Sequence, residues 1–506
     1  MKRIPLAVFL VVQAASVPAD DPAARYGLPW TGRIPWSSCV NIADFKGDSA
    51  LERFRAAQEA AVSRGGGVVY FPPGTYGFGD SIVLKGGVVI RGADPQGVTD
   101  ARQEKYDPPT RFEFPRYVPL LEGEGTPVSS AFKGIVLEDP ASASNCGVVN
   151  VAINRGHILM GEGADHQAGR NRIVYGCVLR NAAAASKEIP DLSIGQHPWQ
   201  RYTDRFHAAI RVNTAENLLV ANNRIPESGE ENFLMKGYVL AGRKKEKTVP
   251  PPGVLFDYDN RPGIAANDYG IGGAGADPPD GTPQTHPHGF RKGIVIRENF
   301  IFATGRCAIT FTADGAACSF NVIRFKPGVV RWTTTGKQLV TGTGTNDNRA
   351  IQMRGWRWTV EGNDYEVHRN RAADSGYDIN DGEGLMHEDH VNSTVLDSRL
   401  VNNRGNSYLS IYKTGGINGL LVQGNDIRTP GGIPAIYVVA SRNRSRYECR
   451  NVSIVGNTTA GSGICIDGDP AENNVVKDNR HVGGEGKLIN KAGAKLENNT
   501  GYVEGK

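Results

Sequence analysis

A five-residue pattern recurs along this 506-residue chain, and it constrains the fold more than any other feature. The copies read AIRVN (209–213), AITFT (308–312), AIQMR (350–354), GLMHE (384–388), YLSIY (408–412), AIYVV (435–439) and GICID (463–467). Each is a small or variable residue followed by apolar, variable, apolar, variable. That is the alternation of a strand with one inward and one outward face. A second column follows about half a coil later as apolar-x-x-Asn: Val220/Asn223, Ile296/Asn299, Val360/Asn363, Val422/Asn425, Ile454/Asn457, Val476/Asn479 and Leu496/Asn499. Asparagine tolerates left-handed turns, and stacked Asn side chains hydrogen-bond from coil to coil. The first column advances by 24, 27 and 28 residues from 385 to 409, 436 and 464, and the second closes to 22 and 20 between 457, 479 and 499. Such a period suits one three-strand coil per repeat, with spare residues spent in loops. The expectation is a solenoid running through residues 20–506 as a single domain, although length alone would allow several.

One amphipathic helix pattern stands out, Ala50 to Ser63 (ALERFRAAQEAAVS), ending in Gly65-Gly66-Gly67. Directly after it comes VVYFPPGTYGFGDSIVLKGGVVIRGA, short β-rich runs cut by Gly and Pro. The stretch from Val40 to Ala93 resembles the N-terminal signature of the pectate-lyase-like, right-handed parallel β-helix superfamily. There a helix caps the solenoid and a GGG-V-V-Y-F-P-P-G-T-Y segment begins the first coils. The segment before the helix, DFKGDSALERF, is shorter than the Asp-rich one many members carry. The resemblance implies an all-β, right-handed parallel β-helix with an N-terminal capping α-helix over about 50–64 and long inter-coil loops. Glycoside hydrolases, polysaccharide lyases and phage tailspikes all belong to this superfamily, so it bears on fold more than on function. Three stretches interrupt the repeat and are expected to be loop insertions that wall a groove: about 94–133, 226–291 (Gly/Pro-rich) and 326–349 (Thr/Gly-rich).

Charge and targeting narrow the setting. With 57 basic against 53 acidic residues the net charge is +4, and no basic field points to nucleic acid. Lys2 and Arg3, the apolar run IPLAVFLVVQAA and the small residues Val17-Pro18-Ala19 have the layout of a secretory signal peptide over 1–19, cut before Asp20. The run is too short to span a bilayer comfortably, and no later segment approaches a membrane span. The mature protein is therefore expected to be secreted or periplasmic. Seven cysteines without CxxC spacing argue against a zinc site or a dense disulfide framework, and buried free thiols are expected, with room for one or two disulfides after export.

The candidate chemistry sits on the outward positions of the first column. In GLMHE, Leu385 and His387 align with the inward residues Ile351/Met353 and Leu409/Ile411, so Met386 and Glu388 face outward, with His390 next if the strand continues. Reading that face coil by coil gives Arg211 and Asn213, then Thr310, Thr312 and Asp314, then Gln352 and Arg354, then Glu388 and His390, then Tyr412 with Lys413. Parallel strands stack about 4.8 Å apart, so these are neighbours. The expected catalytic set is Glu388, His390, Arg354, Tyr412, Lys413 and Asp314. Arg211, Asn213 and Gln352 are expected to bind substrate, helped by Trp199 and Arg201 in GQHPWQRYTDRFH (195–207). Asp378, Asp381 and Glu383, in a glycine-spaced turn before the strand, are candidate calcium ligands, the alternative being a polar turn. HEDH is not HExxH, and on a strand its two histidines point to opposite faces, so a zinc protease is a poor fit.

Three functions fit an acid, imidazole, guanidinium, phenol and amine on one face. A polysaccharide lyase needs a base for the proton beside a uronate carboxyl group and a cation to neutralise that carboxylate. Lys413, His390 or Tyr412 are base candidates, with Arg354 or calcium as neutraliser. A glycoside hydrolase needs paired carboxylates: Glu388 with Asp314 two coils away fits the inverting separation of about 6.5–9.5 Å, and Glu388 with Asp381 or Glu383 is another candidate pair. The third function is a non-catalytic glycan-binding β-helix using the stripe as a track. DGEGLMHEDH resembles the DGE-containing strand of alginate- and dermatan-type β-helix lyases, with Asp389 and His390 where those carry a lysine. The cationic groups tilt the expectation towards a uronic-acid-containing polysaccharide and β-elimination.

Overall fold

The Asn column folds into one continuous hydrogen-bonded ladder. In the computed structural model, each side-chain amide of Asn223, Asn299, Asn321, Asn363, Asn403, Asn425, Asn457 and Asn479 donates to the carboxamide oxygen of the next, ending at Asn499, over 2.9–3.0 Å. Each of these residues also sends its backbone N–H to that same oxygen. The residue before every rung is left-handed: Asn222, Glu298, Phe320, Gly362, Asn402, Gly424, Gly456, Asp478 and Asn498 have φ between 51° and 66°. A single left-handed residue turns the chain sharply, and the Asn behind it satisfies buried backbone groups that the bend leaves outside any strand. Asn321 and Asn403 are rungs beyond those expected. Their apolar partners are Cys318 and Leu400, each three residues earlier.

The structure describes residues 20–115, 133–161, 169–180, 209–226, 292–303, 307–325, 349–367, 394–412, 414–430, 432–442 and 445–505, and the backbone of strands at 233–234, 255–257, 264–266, 329–331 and 383–388. The expected signal peptide lies outside these residues. Three stacks of parallel strands run along the chain. One joins Ile82–Leu84 to Tyr502–Gly505 through all seven aligned repeats. A second runs from Cys39–Asn41 to Lys495–Glu497 and precedes the Asn bend, and the third, 12-stranded, follows it. Successive parallel strands joined through crossovers give a right-handed parallel β-helix.

The repeat alignment holds residue for residue. Ile309, Ile351, Leu385, Leu409, Ile436 and Ile464 are partners in register. Ile351, Met353, Leu409, Ile411, Ile436 and Val438 are fully buried in one core. In the third stack Tyr365 fills that core beside Gly405, where a Cβ would meet its ring at 2.0 Å, and its hydroxyl donates to the Ser407 carbonyl at 2.6 Å.

The helix spans Ala50–Ser63, and the Ser49 side chain accepts from the Glu52 N–H at 3.2 Å. Phe54, Ala57 and Ala61 close the N-terminal end of the core. Gln58 donates to the Val83 carbonyl and accepts from the Lys85 N–H, both at 3.0 Å, which occupies an open strand edge.

Two expectations about the insertions need correction. Residues 94–133 contain a strand of the third stack, Thr110–Glu113, paired with Gly74–Gly77 and Ala152–Asn154. Residues 226–291 contain a complete rung, Ile264–Ala266, between Ile210–Val212 and Cys307–Asp314. The second and third insertions also meet, because Leu255–Asp257 pairs antiparallel with both Phe233–Leu234 and Val329–Arg331.

Candidate functional site

The outward positions of the repeat strands form two ladders. On the first, Arg211, Ala265, Thr310, Gln352, Met386, Ser410, Tyr437 and Cys465 follow one another in register. On the second, Thr312 pairs with Arg354 and Glu388 with Tyr412. Because Met353 pairs with His387, extending that register by one residue sets Glu388 beside Arg354. Arg354, Glu388 and Tyr412 therefore occupy consecutive rungs, about 4.8 Å apart.

The face is not the open surface that the alternation suggests. Arg211, Asn213, Gln352 and Arg354 are only 1–3% exposed, and Thr310 and Thr312 are equally buried. Alternation reports which way a side chain points, and says nothing of what lies over it. Thr310 donates to Gln352 Oε1 at 3.4 Å within this closed region. Solvent reaches the stripe at its C-terminal end, where Tyr412 and Tyr437 are half-buried with ring centroids 6.1 Å apart. Burial raises the Tyr437 phenol above its ordinary range, so it stays protonated at neutral pH. A guanidinium keeps its proton even when buried, and Arg354 brings a positive charge to a poorly solvated place where charge acts strongly.

Asp314 does not partner Glu388 as expected. It pairs with Trp356, two positions beyond Arg354. Two rungs across and two residues along give a Cα separation of roughly 12 Å from Glu388, wider than the two rungs alone. Its carboxylate is also engaged by Arg357, whose Nε donates to Oδ1 at 2.7 Å while NH2 reaches Oδ2. Arg357 lies just past the strand and is left-handed, with φ of 50°, and that turn brings its side chain back onto Asp314.

Glu383 also departs from expectation. It opens the strand Glu383–Glu388 in register with Arg349, and so belongs to the strand and not to the preceding turn. His387 pairs with Met353 and Ile411, both fully buried. His390, Lys413, Asp378, Asp381, Trp199 and Arg201 lie outside the described residues. Among the described residues no three His, Cys, Asp or Glu stand close enough to hold a metal ion. Cys146, Cys177, Cys318, Cys449 and Cys465 are buried free thiols and Cys39 a partly buried one, as expected, and burial raises the pKa of each.

The alignment of AIYVV leaves Tyr437 unread, although its outward position is plain in the repeat. Beyond it, Asp467 continues the second ladder after Val439 and forms an ion pair with Arg446 at 2.9 Å. Arg446 ends the antiparallel hairpin Ser441–Arg442/Ser445–Arg446.

No family model matches the chain, and neither does any curated protein. Solved structures with a similar fold include a tailspike protein of E. coli bacteriophage HK620, 13% identical over 93% of this chain and 72% of that one, with a TM-score of 0.48. The A-module of a mannuronan C-5 epimerase of Azotobacter vinelandii is 12% identical over 92% and 99%, with a TM-score of 0.33. A DFA-IIIase of Arthrobacter chlorophenolicus A6 is 13% identical over 86% of both chains, with a TM-score of 0.38.

Proposed function

We propose that this chain is an exported, single-domain β-helix enzyme that cleaves a uronic-acid-containing polysaccharide by β-elimination. One observation carries the reading: the register that pairs Met353 with His387 and Glu388 with Tyr412, continued by one residue, puts Arg354, Glu388 and Tyr412 at equivalent positions of three successive strands. β-Elimination removes the proton at C5 of a uronate, breaks the C4–O bond and leaves a C4=C5 double bond. The carboxylate beside that proton must lose its charge before the proton becomes acidic, and the buried guanidinium of Arg354 suits that task. Tyr412, next to solvent, is the described candidate for the base, with Lys413 and His390 as further candidates. Glu388, one rung from each by register, is the acidic residue of the set.

The alternative is hydrolysis. It needs a second carboxylate within about 10 Å of Glu388. Asp314 is displaced along its strand and bound to Arg357. Asp467 lies three rungs away, roughly 14 Å by strand spacing. Among the described residues neither supports the pairing, and elimination is preferred; the pair of Glu388 with Asp381 lies outside the described residues. A calcium ion held by Asp378 and Asp381 would add to the neutralising charge in the elimination reading, and a glycan-binding role without catalysis is the remaining alternative. Among the described residues no helix is long and apolar enough to cross a membrane.

The test is incubation of the mature protein with pectate, alginate and animal glycosaminoglycans, with and without a calcium chelator. Ultraviolet absorbance from unsaturated uronate together with new reducing ends supports the reading, and its loss in Glu388→Gln assigns the site. Reducing ends without absorbance make the enzyme a hydrolase. Binding with neither signal makes it a glycan-binding protein.

A further inference from the structure

Past Arg354 the outward face changes character. Ser410 and Val439 are buried, while the two tyrosines diagonal to each other across the same rungs, Tyr412 and Tyr437, stay half-exposed. Tyr412 is on the ladder of Glu388, one rung on. Tyr437 is on the other ladder, one rung further, in register with Ser410. The rings stand 6.1 Å apart and are tilted by 42°, so they form a shallow angled floor and do not stack on each other. Past this floor, Asp467 is ion-paired with Arg446, and Arg446 remains about half-exposed.

An amphipathic floor edged by an ion pair suits a ligand with a flat apolar face and a rim of hydroxyl groups. A pyranose ring has both: axial C–H bonds pack on aromatic faces, while equatorial hydroxyls reach a carboxylate or guanidinium. A peptide or lipid would need a longer apolar floor than two tilted rings. We propose that Tyr412 and Tyr437 form a subsite for one pyranose residue of a glycan chain, on the C-terminal side of Glu388, with Asp467 and Arg446 recognising its hydroxyls. This rests on the reading of the Arg354–Glu388–Tyr412 ladder as the cleavage site. The chain of sugars would run along the solenoid axis, one rung after another. Tyr437, which touches no reacting atom, is a specificity residue for the sugar next to the scissile bond.

The experiment compares wild type, Tyr437→Ala and Tyr437→Phe by saturation-transfer NMR and equilibrium binding, with oligogalacturonates, oligoalginates and neutral cello-oligosaccharides. On any polymer the wild type cleaves, KM and kcat are measured as well. Tyr437 is a half-exposed surface residue, so an unchanged thermal midpoint shows that each variant folds. The expected result is binding weaker by about 5–10-fold in Tyr437→Ala, with retention in Tyr437→Phe, because the aromatic face is the binding element. KM rises by a similar factor, and kcat changes less. Equal binding by wild type and Tyr437→Ala overturns the subsite even if the enzyme is a lyase. Weaker binding in Tyr437→Ala by a protein that cleaves nothing keeps the subsite and refutes the lyase. A wild type that binds none of the three glycan classes overturns both.

Discussion

Replacing Asn363 with alanine tests whether the Asn ladder carries the fold. Its carboxamide donates to the Cys318 carbonyl and to Asn403 Oδ1, both at 3.0 Å, and accepts from Asn321 through the backbone N–H at 3.0 Å and the side-chain amide at 2.9 Å. Asn363 is 1% exposed. The alanine variant strands the Asn321 N–H, one Asn321 amide hydrogen and the Cys318 carbonyl inside the coil. A buried polar group without a partner costs about 1–3 kcal/mol, so the loss should be about 3–5 kcal/mol, allowing for a water that enters the gap. The control is Asn499→Ala at the end of the ladder. That side chain is half-buried, and it accepts from Asn479 and donates to the Val476 carbonyl. Water can replace these partners, which limits the loss to about 1 kcal/mol. Urea unfolding followed by circular dichroism measures both. Equal losses in the two variants, or a loss below about 0.5 kcal/mol for Asn363→Ala, would refute the ladder's role.

Three further outcomes are expected. Burial lowers the His481 pKa from its ordinary 6.5, and its ring shares Thr459 Oγ1 with Tyr502 at 2.9 and 2.7 Å. The native state then binds fewer protons than the unfolded chain, so stability of the last coils should fall as pH drops below about 6.5. Hydrogen exchange across that range should show faster opening at the C-terminal end, and a Gln at 481 should flatten the dependence. Burial pushes the Cys146 thiol up to about 11 and Cys177, Cys449 and Cys465 up to about 12, so thiol reagents at mildly alkaline pH should spare these four until urea is added. Asp314→Asn should lower the thermal midpoint by weakening the fork to Arg357 while turnover largely survives; a loss as deep as that of Glu388→Gln would revive the paired-carboxylate mechanism.

The strands and bends were legible because their physics is local. Alternating apolar residues separate the inner from the outer face, and Asn recurs where a left-handed residue demands a partner. The helix was legible from its apolar spacing and the glycines that follow it. Ile264–Ala266 escaped because a three-residue rung among Gly and Pro has no periodicity to detect. The rung at Asn321 escaped for a different reason, since a cysteine, Cys318, fills its apolar position. For the candidate site, sequence located Arg354 and Tyr412 on one face but not the closure of that face over Arg354. Burial of an outward position depends on what lies over it, and the alternation of the repeat carries no trace of that. Asp314 was misread because counting coils gives the separation across strands and omits the two-residue offset along them.

The most direct test of β-elimination is the mass of the products from one oligouronate of defined length. Elimination divides the substrate without adding water, so the masses of the two fragments should sum to that of the substrate, with the unsaturated fragment one water lighter than its hydrolytic counterpart. The account predicts that sum for the wild type and no fragments for Glu388→Gln. Fragments whose masses exceed the substrate by one water would contradict it.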